Sequence, residues 1–122
     1  MSGEIRRELL RGGVIDMTTT GRRTGEARRI EVRLHEIDGQ LYLSGQPGKR
    51  NWYANLLAKP EFQVHLKREL VADLDAYAMP VLEDMERRRV FRKILGAVGR
   101  PEQVEERMKG SPLVHVSVEI PA

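Results

Sequence analysis

Apolar and polar positions alternate with period two over several short stretches. Ile30, Val32 and Leu34 alternate with Glu31, Arg33 and His35, the pattern of a half-buried strand. Phe62, Val64 and Leu66 alternate with Gln63, His65 and Lys67. Leu70, Ala72, Leu74 and Ala76 alternate with Val71, Asp73, Asp75 and Tyr77, and Val114, Val116, Val118 and Ile120 with His115, Ser117 and Glu119. The β-branched run VIDMTTT at 14–20 predicts a further strand. Leu41 and Leu43 mark a return strand to Ser44 after the hairpin signal Asp38–Gly39. GRRTGE and KRE supply two more turns.

Helical spacing appears in four places. Residues 4–11 predict a short helix ended by Gly12–Gly13. NWYANLLAK predicts about two turns with Trp52 and Leu56 on one face, stopped by Pro60. Met85, Phe91, Ile94, Leu95 and Val98 give 82–98 an apolar stripe. PEQVEERMKG at 101–110 opens on proline and closes on glycine. From 14 onward the order is β, β, β, α, β, β, α, α, β. Hairpin-compatible pairs without regular β–α–β alternation predict an α+β fold, a mostly antiparallel sheet. Six strands in so short a chain suggest a small barrel or closed sheet with helices outside.

Composition adds bounds. With 122 residues, 40% hydrophobic and 32% charged, one domain spanning 1–122 is expected. The absence of cysteine excludes disulfides, thiolate nucleophiles and cysteine–metal sites, and suits a reducing compartment. No apolar run approaches the roughly 20 residues of a membrane span, and the N-terminus has no apolar core of the signal-peptide kind. A cytoplasmic protein without membrane insertion is the expectation.

The net charge is +3, so the grouping of cations matters more than their sum. Lys67–Arg68 and Arg87–Arg89 suit a solvated surface. The stretch SGQPGKRNWYANL places Gly45, Gly48, Lys49 and Arg50 just ahead of a helix start. Helix N-termini carry unpaired N–H groups, and glycine lets backbone donors approach an anion. The spacing is neither a Walker nor a Rossmann pattern. GRRTGEARR puts Arg22, Arg23 and Arg28 in and beside a turn between two strands. If the sheet curls, this turn and the 45–51 loop bracket one cleft, and guanidinium forks suit phosphate and carboxylate oxygens.

Other residues point less far. His35, His65 and His115 show no paired spacing and read as surface histidines, so no metal site is expected. Asp73 and Asp75 share a strand face with Val71 and Tyr77, the pattern of a half-solvated rim. Met79, Met85 and Met108 read as core fillers. Trp52 either packs under a ligand or anchors its helix, and Ser44 is a candidate hydrogen-bond donor.

TTTGRRTGEARR, followed after a hairpin by SGQPGKRNWYANLLAKPEFQVHLK, resembles the deazaflavin-dependent nitroreductase family, itself similar to split β-barrel flavin reductases. The resemblance covers about residues 14–80 and the closing PLVHVSVEIP strand. It implies a six-stranded split β-barrel with flanking helices that binds coenzyme F420, a deazaflavin with a phosphodiester and an oligoglutamate tail. Arg22, Arg23 and Arg28 would then meet phosphate or glutamate carboxylates. The loop of Gly45, Gln46, Pro47, Gly48, Lys49, Arg50 and Asn51, with the start of the Trp52 helix, would cover the phosphate and one side of the ring. Glu31 and Val32 would flank the deazaflavin. Residues 82–110 match in layout only and contain no tyrosine. The implied acceptor is therefore open among nitro, quinone and enone-like compounds, and no catalytic residue is named.

Three functions follow as expectations. The first is an F420-dependent oxidoreductase moving a hydride to a small organic acceptor. The second is a non-catalytic barrel holding a deazaflavin, FMN or a fatty-acid-like ligand. The third, a nucleic-acid binder, lacks any known motif. A small-molecule partner, no nucleic acid and an admissible homodimer complete the reading.

Overall fold

A computed structural model describes residues 2–121. The strands are β1 (Gly13–Thr20), β2 (Ala27–Ile37), β3 (Gln40–Ser44), β4 (Glu61–Lys67), β5 (Val71–Pro80) and β6 (Leu113–Val118). They close into one antiparallel barrel in the order β1-β2-β3-β6-β5-β4. The helices are α1 (Ser2–Arg11), α2 (Asn51–Ala58), α3 (Asp84–Ala97) and α4 (Val104–Gly110), the last preceded by a 3-10 turn at Pro101–Gln103. The expected six-stranded barrel with flanking helices is the observed fold. Among the described residues, no helix is long and apolar enough to cross a membrane.

The period-two pattern does the sorting. Ile15, Met17, Leu34, Leu43, Val64, Leu74, Val114 and Val116 point inward and pack into one buried cluster. A closed barrel leaves no unpaired edge for them to reach solvent along. Ile5 and Leu9 of α1 enter this cluster where β1 begins, and Leu56 of α2 enters it where β1 ends. A second cluster lies outside the barrel wall. There Val90, Phe91, Ile94 and Leu95 of α3 cover Ile37, Tyr42 and Leu113. Phe91 is fully buried, and a side chain of this kind contributes about 2–3 kcal/mol on burial. The Arg87 guanidinium lies 5.2 Å from the centre of its ring.

Several readings of single residues are corrected. Met85 is 80% exposed and Met79 58%, so neither fills the core; Met108 alone packs against the outer cluster. The apolar stripe of α3 starts at Val90, a full turn later than Met85, and Val98 lies exposed beyond its other end. His65 is only 4% exposed. It faces outward, as its strand parity requires, but Thr18 Oγ1 at 2.7 Å and Asp73 Oδ1 at 2.6 Å hold its two ring nitrogens. Partners on two neighbouring strands supply the polar contacts that a buried imidazole needs. His35 and His115 are half-buried, and burial lowers the pKa of both, that of His35 to about 4.

Closure of the barrel is incomplete at one end. β1 pairs with β4 only through Asp16, Met17 and Thr18, whereas it stays paired with β2 as far as Thr20↔Ala27. The β1–β2 hairpin therefore runs on past β4, and α2 packs against its inner side.

Candidate functional site

The overhang of this hairpin creates a cleft of about 540 Å³. Register explains which side chains line it. Thr19 pairs with Arg28 and Met17 with Ile30, so Arg28 and Ile30 continue the inward-facing column of β2 beyond the filled core. Met17 is completely buried and Thr19 nearly so, but across the hairpin Ile30 is exposed, and there the inner face opens to solvent. Gly21, Arg22, Arg23 and Thr24 of the following turn form one wall, and Asn51, Trp52 and Asn55 of α2 form the other.

The turn is tightly built. Gly21 N–H donates to Glu26 O at 2.7 Å, and Gly25 N–H to Gly21 O at 2.8 Å. Gly25 has φ of +74°, the left-handed region that favours glycine. Arg22 is fixed to α2, its backbone N–H and its Nη1 both donating to Asn55 Oδ1, at 3.1 and 2.9 Å. Arg28 sits 3.7 Å from the exposed carboxylate of Glu26. Arg23 makes no ion pair among the described residues. The cleft thus gathers three guanidinium groups and the apolar surfaces of Trp52 and Ile30 around one opening.

The 45–50 loop is held from behind by the α3–α4 layer. Arg107 Nη1 donates to Gly45 O at 2.9 Å, and Gly48 N–H to Gly110 O at 3.1 Å. Arg87 in turn holds that layer, donating to the carbonyls of Val81, Arg107, Met108 and Ser111. Burial lowers the pKa of Arg107. Gly45 lies beside the indole: a Cβ there would sit 3.7 Å from Trp52 Cζ2.

The sequence-derived residues separate into two groups. Arg22, Arg23, Arg28, Asn51 and Trp52 meet around the cleft. Gly45 borders Trp52, while Gln46, Pro47 and Arg50 engage each other. Arg50 Nη2 donates to Gln46 O at 3.2 Å and Pro47 O at 3.4 Å, so its charge curls over its own loop. Lys49 is exposed, as is Gly48. Ser44 donates to Pro112 O at 3.0 Å, joining β3 to the residue before β6. Glu31 and Val32 part company. Val32 packs against the barrel core. Glu31 lies on the outer wall, where its Oε2 is 2.5 Å from Lys67 Nζ, itself 2.7 Å from Asp16. Thr19, Thr24, Ile30 and Asn55 belong to the lining without having been singled out. Asn55 carried a signal: it lies three residues after Trp52, on the same helical face.

The donor set fits a ligand with a planar ring and an anionic tail. Trp52 and Ile30 offer apolar surface, and three guanidinium groups offer paired N–H donors. A family profile described as F420H(2)-dependent quinone reductase matches residues 1–120.

The chain belongs to this family.

It is an oxidoreductase that uses coenzyme F420, and its cleft chemistry agrees with that cofactor. Solved structures show the same barrel at low identity. A conserved hypothetical protein from Mycobacterium tuberculosis superposes with a TM-score of 0.75 at 18% identity, covering 98% of this chain and 81% of the other. A putative pyridoxamine 5'-phosphate oxidase from Listeria innocua gives 0.73 at 11% identity, over 97% and 93%. A FAD-binding protein from Mesorhizobium loti gives 0.68 at 13%, over 98% and 88%. These likenesses concern the fold.

Proposed function

We propose that this F420-dependent reductase binds its cofactor in the cleft between the 21–28 turn and α2, and reduces a quinone-type acceptor there. The observation that carries the reading is the convergence of Arg22, Arg23 and Arg28 with Trp52 and Ile30 on one opening. The arginines would hold phosphate and carboxylate oxygens, as paired N–H donors do for oxyanions. Trp52 and Ile30 would take the ring. Asn51 and the first N–H groups of α2 add donors at the mouth.

When bound, the coenzyme supplies the hydride. The chain's part is to bind and to orient. Among the residues lining the cleft there is no carboxylate, imidazole, ammonium or phenol. The Arg–Trp52 wall therefore works by position and charge rather than by proton transfer. Hydride addition to a quinone leaves a phenolate-type oxyanion, whose conjugate acid has a pKa of about 10. Solvent water can supply its proton without an acid from the protein, which favours quinones within the nitro, quinone and enone-like set.

The test is a titration of the purified protein with oxidised F420, read by Trp52 fluorescence, with FMN in parallel. Saturable micromolar binding of F420 with weak FMN binding supports the cleft. Turnover of a benzoquinone, but not of a nitroaromatic or an enone, supports the acceptor. Tight FMN binding without F420 binding would refute the cofactor assignment.

A further inference from the structure

We infer that Asn55 is a positioning residue that locks the cationic turn onto the Trp52 helix, so that Arg22 and the indole meet one ligand as a preset pair. The inference rests on the cofactor reading above. Asn55 lies within the eight-residue helix α2 and is 5% exposed. Asparagine is a poor helix former, and a buried amide is costly unless its polar atoms are paired. Both polar ends of this amide have partners, so it does more than fill space.

Its partners show what it does. Oδ1 accepts from both the main-chain N–H and the Nη1 of Arg22. One acceptor thus holds a residue at both its root and its tip, while Arg22 keeps further N–H groups for the cleft. Nδ2 lies 3.4 Å from Thr19 Oγ1, and Thr19 pairs across the hairpin with Arg28. Trp52 stands one turn earlier on the same helix face. A single buried side chain thus registers β1, the arginine turn and the indole wall. A free arginine side chain loses rotamer entropy when a ligand immobilises it. Holding Arg22 beforehand shifts that ordering cost from binding to folding.

Two readouts test this. The first needs no ligand: amide hydrogen exchange of Arg22. Its N–H should be protected in the wild-type chain, lose protection in Asn55→Ala, and keep it in Asn55→Asp, which retains the oxygen acceptors. The amide of Val64 in the barrel wall serves as control and should be unchanged. The second is a double-mutant cycle with Arg22→Ala, read as the dissociation constant of oxidised F420. Asn55→Ala should weaken binding about tenfold in the wild-type background and by less than about twofold in Arg22→Ala. Asn55→Asp should also weaken binding, with a shallower salt dependence, because its carboxylate neutralises Arg22. Factors that multiply in the double mutant, or an Arg22 amide that exchanges freely in the wild type, would overturn the inference while leaving the cofactor site standing. If the wild-type chain fails to bind F420 at all, the cofactor reading fails and this inference with it. Should Asn55→Ala not fold, Asn55→Asp and its cycle with Arg22→Ala decide the matter.

Discussion

Between pH 7 and pH 4.5 the protein should lose stability because of His35. Burial lowers its pKa from 6.5 to about 4, and the nearby charges of Arg33 and Arg107 push the same way. The direction follows from proton counting. As pH falls below 6.5, the unfolded chain protonates this imidazole while the folded chain does not. The unfolded state then binds more protons, and stability drops until pH passes the folded pKa. Above about pH 7 the contribution is fully present. A shift of this size corresponds to roughly 3 kcal/mol in total, with about 2 kcal/mol gone by pH 5. Urea unfolding at a series of pH values measures it; with a slope of about 2 kcal/mol per molar, pH 5 should lower the midpoint by roughly 1 M. Acidic groups also titrate in this range, so the informative quantity is wild type minus His35→Gln. That variant should lack the extra slope between pH 6.5 and 4.5. Parallel pH profiles for the two proteins would refute the burial of His35 beneath the helical layer, and with it the placement of Arg107 above β2.

Other outcomes follow from particular contacts. Arg23→Ala and Arg28→Ala should each weaken F420 binding by about tenfold at low salt, one charge-assisted contact apiece. Lys49→Ala, outside the cleft lining, should change it by less than about threefold, and calorimetric titration separates the two cases. Gly12→Ala should destabilise the fold by about 2 kcal/mol or more in urea unfolding. Gly12 has φ of +67°, and a Cβ there would lie 2.9 Å from Leu34 O. Arg87→Leu leaves the carbonyls of Val81, Arg107, Met108 and Ser111 without their shared donor. It should cost about 2–4 kcal/mol in thermal or urea unfolding and raise amide exchange in the 45–50 loop.

The strands were legible because alternation is a local property: a side chain's parity along β2 or β4 is set by its own neighbours. Turns at Asp38–Gly39 and 21–26 were equally local, resting on backbone that glycine or an Asx residue adopts readily; Asp38 and Gly39 do have positive φ. Parity also held an answer that was not drawn from it. Adjacent residues of a strand face opposite sides, so Glu31 and Val32 could not both flank one ligand. The two arginine-bearing segments were identifiable from sequence, and so was Trp52.

Tertiary structure decided the rest. Pairing of β1 with β4, 49 positions apart at Asp16↔His65, has no local signature, yet its early end at Thr18 opens the cleft. The same pairing turns an outward histidine into a buried one, because Thr18 and Asp73 arrive from neighbouring strands. Lys49 and Arg50 sit ahead of a helix as the sequence shows, but the loop's anchoring on Arg107 and Gly110 sends Arg50 back over its own carbonyls. Asn55 is visible in the sequence as an amide on a short helix; that it holds Arg22, 33 residues earlier, depends on where the barrel brings the turn. Composition and periodicity determined which face of each element is apolar. Long-range packing alone determined which cations share a cleft, since electrostatic partners are chosen by distance in space and not along the chain.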